Sequence, residues 1–112
     1  MLEAPVITIG ISTYNGENYI KRCVDSIVSQ TFTNVEIIIS DDNSKDRTID
    51  ILKDLSQRYS NITIFNHEDT IGEYSQKKFL LARTTTPYFK FLDQDDYIES
   101  EEYLEVAYAE IK

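Results

Sequence analysis

The chain has 112 residues, 41% of them hydrophobic and 12% aromatic, which suits one folded domain with an ordinary core and leaves no room for a second. Twenty acidic against 11 basic residues give a net charge of -9 at pH 7, which argues against a duplex nucleic-acid binder, since that needs a clustered basic face. The single cysteine, Cys23, excludes an intramolecular disulfide, and neither a leader peptide nor a run of about 18 apolar residues is present, so the chain reads as cytoplasmic.

Val6 to Ile11 is β-branched and apolar, short enough for a strand buried on both faces, and ends at the polar turn Ser12-Thr13-Tyr14-Asn15-Gly16. From Glu17 to Gln30 the apolar residues Ile20, Cys23, Val24, Ile27 and Val28 form the stripe of a helix laid on a sheet, with Cys23 as a small core residue. Val35 to Ile39 is a second strand, ended by Ser40-Asp41-Asp42-Asn43-Ser44. Ser44 is the expected cap of a helix that turns Ile51, Leu52, Leu55 and Tyr59 inward. Ile62 to Phe65 predicts a third strand. A weaker helix follows Gly72, from about Glu73 to Arg83, with Phe79, Leu80 and Ala82 as core candidates. Tyr88 to Leu92, opened by Pro87, predicts a fourth strand, and Ser100 caps a last helix with Leu104, Ala107, Tyr108 and Ile111 on one face.

Strand starts at Val6, Val35, Ile62 and Tyr88 are 29, 27 and 26 residues apart, with a helix in each gap. This is the βαβ repeat of an α/β fold, a doubly wound and mostly parallel sheet with helices on both faces. Ligands of such sheets bind beyond the carboxyl ends of the strands, where the turns at 12–16, 41–44, 66–72 and 93–96 gather. The run stops in a helix with no further strand, so residues 1–112 read as the N-terminal part of a larger catalytic domain, truncated before its second half.

Two of those turns are acidic. Asp93-Gln94-Asp95-Asp96 follows an apolar strand directly, and by itself it reads as a solvated turn as readily as a cation site. Asp41 and Asp42 follow the second strand; one carboxylate is accounted for by a turn or cap, and the second is free to accept a hydrogen bond from a ring N–H or a ribose hydroxyl. No GxGxxG follows the first strand and no GxxxxGK[ST] occurs anywhere, which excludes the common phosphate-cradling loops. A diphosphate would then need a metal, and Asp93, Asp95 and Asp96 offer hard oxygen ligands for Mg²⁺ or Mn²⁺.

The segments Ile11-Ser12-Thr13-Tyr14-Asn15, Ser29-Gln30-Thr31-Phe32, Val35 to Asp46 and Phe91-Leu92-Asp93-Gln94-Asp95-Asp96 resemble, in order, the N-terminal half of a family 2 glycosyltransferase with the GT-A fold, a Rossmann-like half-domain. The resemblance covers Val6 to about Leu104. It implies that Ser12 and Tyr14 lie beside the nucleotide base, Tyr14 with a ring face and Ser12 with a polar edge. It further implies that Asp42 reads the uracil ring with Asp41 as its neighbour. Asp93 and Asp95 match the DxD signature, Asp95 as direct metal ligand and Asp93 nearer the sugar, with Asp96 extending the cluster. The implied activity is metal-assisted transfer, with inversion, from a UDP-sugar to a saccharide or lipid-linked acceptor hydroxyl. The implied general base lies in the family's C-terminal half and matches no residue here, so the fragment is expected to bind donor without turnover. Any membrane association, peripheral to the inner face, would come only through regions outside these residues.

Two departures from the family pattern stand out. Ser12 occupies a position where proline is common, and Gln76-Lys77-Lys78 replaces an Arg-Asn pair, leaving Lys77 to meet the diphosphate as a point charge or to stand as part of a solvated face. His67 has no second His or Cys at a workable spacing and reads as a surface residue. The rival readings are a signalling receiver domain, whose acidic pair would follow the first strand, and a non-catalytic nucleotide-binding module.

Overall fold

The computed structural model describes residues 4–111, over which four strands alternate with four helices. In chain order they are β1 (Ile7–Thr13), α1 (Ile20–Val28), β2 (Val35–Asp41), α2 (Thr48–Arg58), β3 (Ile62–Asn66), α3 (Glu73–Ala82), β4 (Tyr88–Asp93) and α4 (Tyr103–Ile111). All strand pairs are parallel, and the sheet order is β3-β2-β1-β4. This is the order of dinucleotide-type sheets, in which the chain reverses direction across the sheet beside β1; a receiver domain would place β1 between β2 and β3. The strand order therefore removes the receiver reading.

Register decides what each face of the sheet does. Ile7, Ile9 and Ile11 pair with Val35, Ile37 and Ile39, so period-2 alternation turns six aliphatic side chains to one side. There they pack with Ile20, Cys23, Val24 and Ile27 of α1, Leu52 and Leu55 of α2, and Leu104 of α4. Burying each such side chain stabilises by roughly 1.5–3 kcal/mol. The exposed ion pairs Lys21–Asp25 and Arg58–Asp54 contribute at most about 1 kcal/mol each. Hydrophobic burial on this face thus outweighs surface charge pairing in holding the fold.

The opposite face carries Thr8, Gly10 and Ser12 of β1 beside Phe89, Phe91 and Asp93 of β4, and α3 lies over it through the buried Leu80. Gly10 is required by this packing: a Cβ there would lie 2.6 Å from Phe89 Cζ. With one helix to cover it, this face leaves Phe91 partly exposed.

Several expected details are corrected. Helix α1 begins at Ile20 rather than Glu17, because Gly16 O accepts both Tyr19 N–H and Ile20 N–H and turns residues 16–19 into a separate turn. Ser44 does not cap α2, whose N-cap is Arg47 with no side-chain cap bond; Asp46 Oδ1, one residue earlier, accepts Thr48 N–H at 2.9 Å, while Ser44 bonds back to Asp41. Ala82 and Ile111 are exposed, not core, since α3 and α4 each bury little beyond one apolar anchor, Leu80 and Leu104. Gln30 fixes the start of α4, donating to Ser100 O at 2.7 Å and accepting Leu104 N–H at 3.0 Å. No helix among the described residues is long and apolar enough to cross a membrane.

Candidate functional site

The carboxyl ends of β1, β2 and β4 stop level with one another, Ser12 lying between Ser40 and Asp93 in the sheet register. The turns that leave them must reverse sharply without hydrogen-bond ladders to guide them, and side chains supply the missing order. Asn15 and Asn43 take left-handed conformations, φ 47° and 64°, which Asn tolerates better than most residues. Asn15 N–H donates to Ser44 Oγ at 2.9 Å and Asn15 Oδ1 accepts Lys45 N–H at 2.8 Å, so the turns after β1 and β2 clasp each other.

The two carboxylates after β2 do separate work. Asp41 is fully buried and accepts from Thr13 Oγ1 and Ser44 Oγ, each at 2.6 Å, and from Ser44 N–H at 2.9 Å. It points into the turn rather than the open space beyond the sheet. Asp42, also buried, accepts Ile71 N–H at 2.7 Å and Gly72 N–H at 2.9 Å, and so draws the loop after β3 over the sheet end. Gly72 permits this with φ 87°.

Between these turns and β4 opens a cleft of about 560 Å³. Of the residues singled out from sequence, Ser12, Tyr14, Asp42, Asp93 and Asp95 line it; Asp41, Asp96 and Lys77 do not. Sequence reasoning missed Gln76 and Gln94, which also line it. Gln94 bonds Tyr14 at both ends of its carboxamide, accepting Tyr14 N–H at 2.9 Å and donating to Tyr14 O at 3.1 Å. Gln76 sits on α3 at the position four residues before the core Leu80, a spacing that marks it as facing the sheet.

Asp93, Asp95 and Asp96 are exposed, and one carboxylate oxygen from each falls within 4.8 Å of the others. Asp96 N–H donating to Asp93 O at 2.9 Å closes the turn that gathers them. Their oxygen-only chemistry and open setting fit Mg²⁺ or Mn²⁺, which keep some coordination positions for other ligands. Lys77 Nζ lies 3.4 Å from Asp93 Oδ1 and 4.9 Å from the Phe91 ring centre, at the edge of this cluster. Cys23 Sγ lies 3.5 Å from Asp93 O, behind the turn. Burial first, and then the charges of Asp96, Asp93 and Asp95, push its pKa up to about 12, which favours the neutral thiol.

His67 is not the surface bystander its isolation suggests. Its Nε2 lies 2.8 Å from Ser40 Oγ, its ring meets Phe79 edge-on at 4.6 Å, and its backbone N–H donates to Asp41 O at 2.9 Å. It is a packed support beneath the turn after β2.

With the cleft defined, comparison with known proteins decides the family. The profile described as Glycosyl transferase family 2 matches residues 8–112. The chain belongs to glycosyl transferase family 2. Glycosyltransferase GlyA of Streptococcus pneumoniae is 34% identical over 111 residues, which is 99% of this chain and 16% of that protein. Poly(ribitol-phosphate) beta-glucosyltransferase of Bacillus spizizenii is 36% identical over 98 residues, 85% of this chain and 16% of that one. Among solved structures, residues 1–349 of TarS from S. aureus in complex with UDP superimpose with a TM-score of 0.85 at 29% identity, covering 94% of this chain and 31% of the TarS chain. The same TarS segment with UDP-GlcNAc gives a TM-score of 0.86. The mannosyltransferase PcManGT of Pyrobaculum calidifontis with GDP-Man and Mn²⁺, at 20% identity and a TM-score of 0.82, shares the fold. The chain thus has the GT-A arrangement of family 2 enzymes and spans between a sixth and a third of these relatives' length.

Proposed function

We propose that residues 1–112 form the donor-binding part of an inverting family 2 glycosyltransferase that takes its sugar from a nucleotide diphosphate sugar, a UDP-sugar in first place. The observation that carries this reading is the single cleft shared by Ser12, Tyr14, Asp42, Asp93 and Asp95, residues that come from three strand ends. The UDP and UDP-GlcNAc complexes of TarS support the choice of nucleotide.

In this reading the half-exposed Tyr14 ring offers a flat face to the base and Ser12 a polar edge. Asp42, already committed to Ile71 and Gly72, retains lone pairs for a ring N–H. Asp41 acts behind it, holding the turn. Asp93 lies toward the sugar, and Asp95, with Asp93 and Asp96, would hold Mg²⁺ or Mn²⁺. When bound, that ion would offset the negative charge of the departing diphosphate. Lys77 adds a positive charge at the same edge once its pairing with Asp93 loosens.

Displacement at the sugar carbon by an acceptor hydroxyl, saccharide or lipid-linked, requires a general base within hydrogen-bond reach of that hydroxyl. No residue of this chain is assigned to it, so these residues bind donor and leave turnover to a second half. The compartment that goes with this reading is the cytoplasm, at the inner face of the membrane where the acceptor is lipid-linked.

Isothermal titration of the chain with UDP in the presence of Mn²⁺ tests the proposal. Metal-dependent binding is expected; a folded chain that takes up no UDP overturns it.

A further inference from the structure

Gln76 is only 3% exposed, yet it lines the cleft. Its amide nitrogen is fully engaged with the sheet beneath: Nε2 donates to Ser40 O at 2.7 Å and Thr13 O at 3.2 Å, with Ser40 Oγ at 3.4 Å. Two backbone carbonyls can only accept, so the end of the carboxamide facing them must be the NH₂ group. This fixes the other end as the carbonyl oxygen, and Oε1 makes no hydrogen bond to any described residue. No buried side-chain polar atom is left unpaired among the described residues, so Oε1 is not sealed in. The space that Gln76 borders is the cleft.

We propose that Gln76 is a specificity-determining residue, its Oε1 sharing with the Asp42 carboxylate the one ring N–H that a uracil base offers; the proposal rests on the donor-site reading above. The charge layout favours the base over the diphosphate at this end. Gln76 Oε1 and the Asp42 carboxylate both present oxygen acceptors, which repel phosphate oxygens. The acidic cluster that suits a metal-bound diphosphate belongs to the β4 end, around Asp93 and Asp95. The base is the uncharged part of the donor, and the single N–H of a uracil can be shared between two acceptors in a bifurcated bond. The amide is also held rigid by its own donor bonds, so the acceptor is aimed before any ligand arrives, and a ligand without a donor there would leave a largely buried oxygen unpaired.

The test compares UDP with ribose 5-diphosphate, which keeps the ribose and phosphates and lacks the base, by titration calorimetry with Mn²⁺. The measured quantity is the ratio of the two affinities. Gln76→Met removes the acceptor in an apolar side chain of similar length. Gln76→Lys removes the acceptor but keeps a donor toward Thr13 O and Ser40 O, and its added charge acts on both ligands alike. Both variants are checked by thermal melting, and whichever remains folded is read. The expected result is a fall of roughly threefold to tenfold in the preference for UDP, the worth of one neutral hydrogen bond. Equal weakening of both ligands assigns Gln76 to structural support and overturns the proposal, as does an unchanged preference. If the unaltered chain binds neither ligand, the donor-site reading itself fails and this inference falls with it.

Discussion

Gln94 holds Tyr14 by both edges of its peptide unit, Oε1 accepting from Tyr14 N–H at 2.9 Å and Nε2 donating to Tyr14 O at 3.1 Å. The side chain mimics a neighbouring strand and carries the β1–β4 pairing one step past the end of the sheet. Gly16 makes room for it, since a Cβ there would collide with the same carboxamide. The acidic turn and the aromatic turn are consequently placed as one piece.

Replacing Gln94 with Ala removes both bonds at an exposed site, for a stability loss of about 1 kcal/mol. The larger effect falls on binding, because Tyr14 and the Asp93–Asp95 turn no longer share a fixed separation. UDP affinity in Mn²⁺ is expected to drop about tenfold, ~1.4 kcal/mol. Urea denaturation alongside calorimetry separates the two; a stability loss with unaltered affinity would count against coupling of the turns.

Asp42→Ala leaves Ile71 N–H and Gly72 N–H without their carboxylate partner. Charge-assisted bonds of this type contribute about 1.5–3 kcal/mol each, and water reaches part of the gap, so a total loss of roughly 3 kcal/mol is expected in urea unfolding. Asp42→Asn, which keeps one acceptor, should fall between Ala and the native chain. Equal stability of Asn and Ala variants would show that only the charge matters.

For the acidic cluster, removing the metal with chelator is expected to lower UDP affinity about tenfold in the native chain, ~1.4 kcal/mol, and hardly at all in Asp95→Ala. Lys77→Ala should act in opposite directions on two ligands. Deleting a cation 3.4 Å from Asp93 Oδ1 raises Mn²⁺ affinity measured without nucleotide and weakens UDP binding. Both effects are modest because Lys77 is partly solvated. A parallel change in the two affinities would remove Lys77 from the diphosphate contact.

Asp46 provides a pH-dependent stability test. Burial raises its pKa, but hydrogen bonds from the Thr48 hydroxyl and Thr48 N–H, with a further one from Glu17 N–H, outweigh that and hold the carboxyl below its ordinary 3.8. A group depressed in the folded state contributes stability that is complete above the unfolded value and is lost as the pH falls through the folded one. The Tm gap between the native chain and Asp46→Ala should therefore be widest near neutrality and close below 3.8. A gap that persists into stronger acid would assign the effect to packing instead.

The strands were readable from sequence to within two residues, because β-branched runs ending in polar turns admit few other structures; Val35, Ile62 and Tyr88 begin β2, β3 and β4 where expected, while every strand runs one or two residues further than expected, β1 and β2 through Ser12-Thr13 and Ser40-Asp41. Helix starts were less legible, since Ser44 is a competent cap by type but is drawn away by its bonds to Asp41 and Asn15, which leaves Arg47 at the N-cap of α2. At the site, side chains that extend outward from strand ends, such as Ser12 and Asp93, could be located from the order of elements. Gln76 and Gln94 could not, because an amide gives no charge pattern and its role depends on which backbone groups lie opposite. Gln76 did leave one trace, a polar residue on the Leu80 side of α3.

The alternation along β1 divides the chain's tolerance to change as cleanly as its geometry. Substitutions at Ile7, Ile9 or Ile11 act on how much folded protein a cell accumulates, whereas one at Ser12, on the other side, acts on the wall of the cleft. If the proposed donor site holds, two sets of neighbouring codons in one seven-residue strand answer to different demands, one on abundance and the other on ligand choice, and the cleft can be revised without first compensating the core.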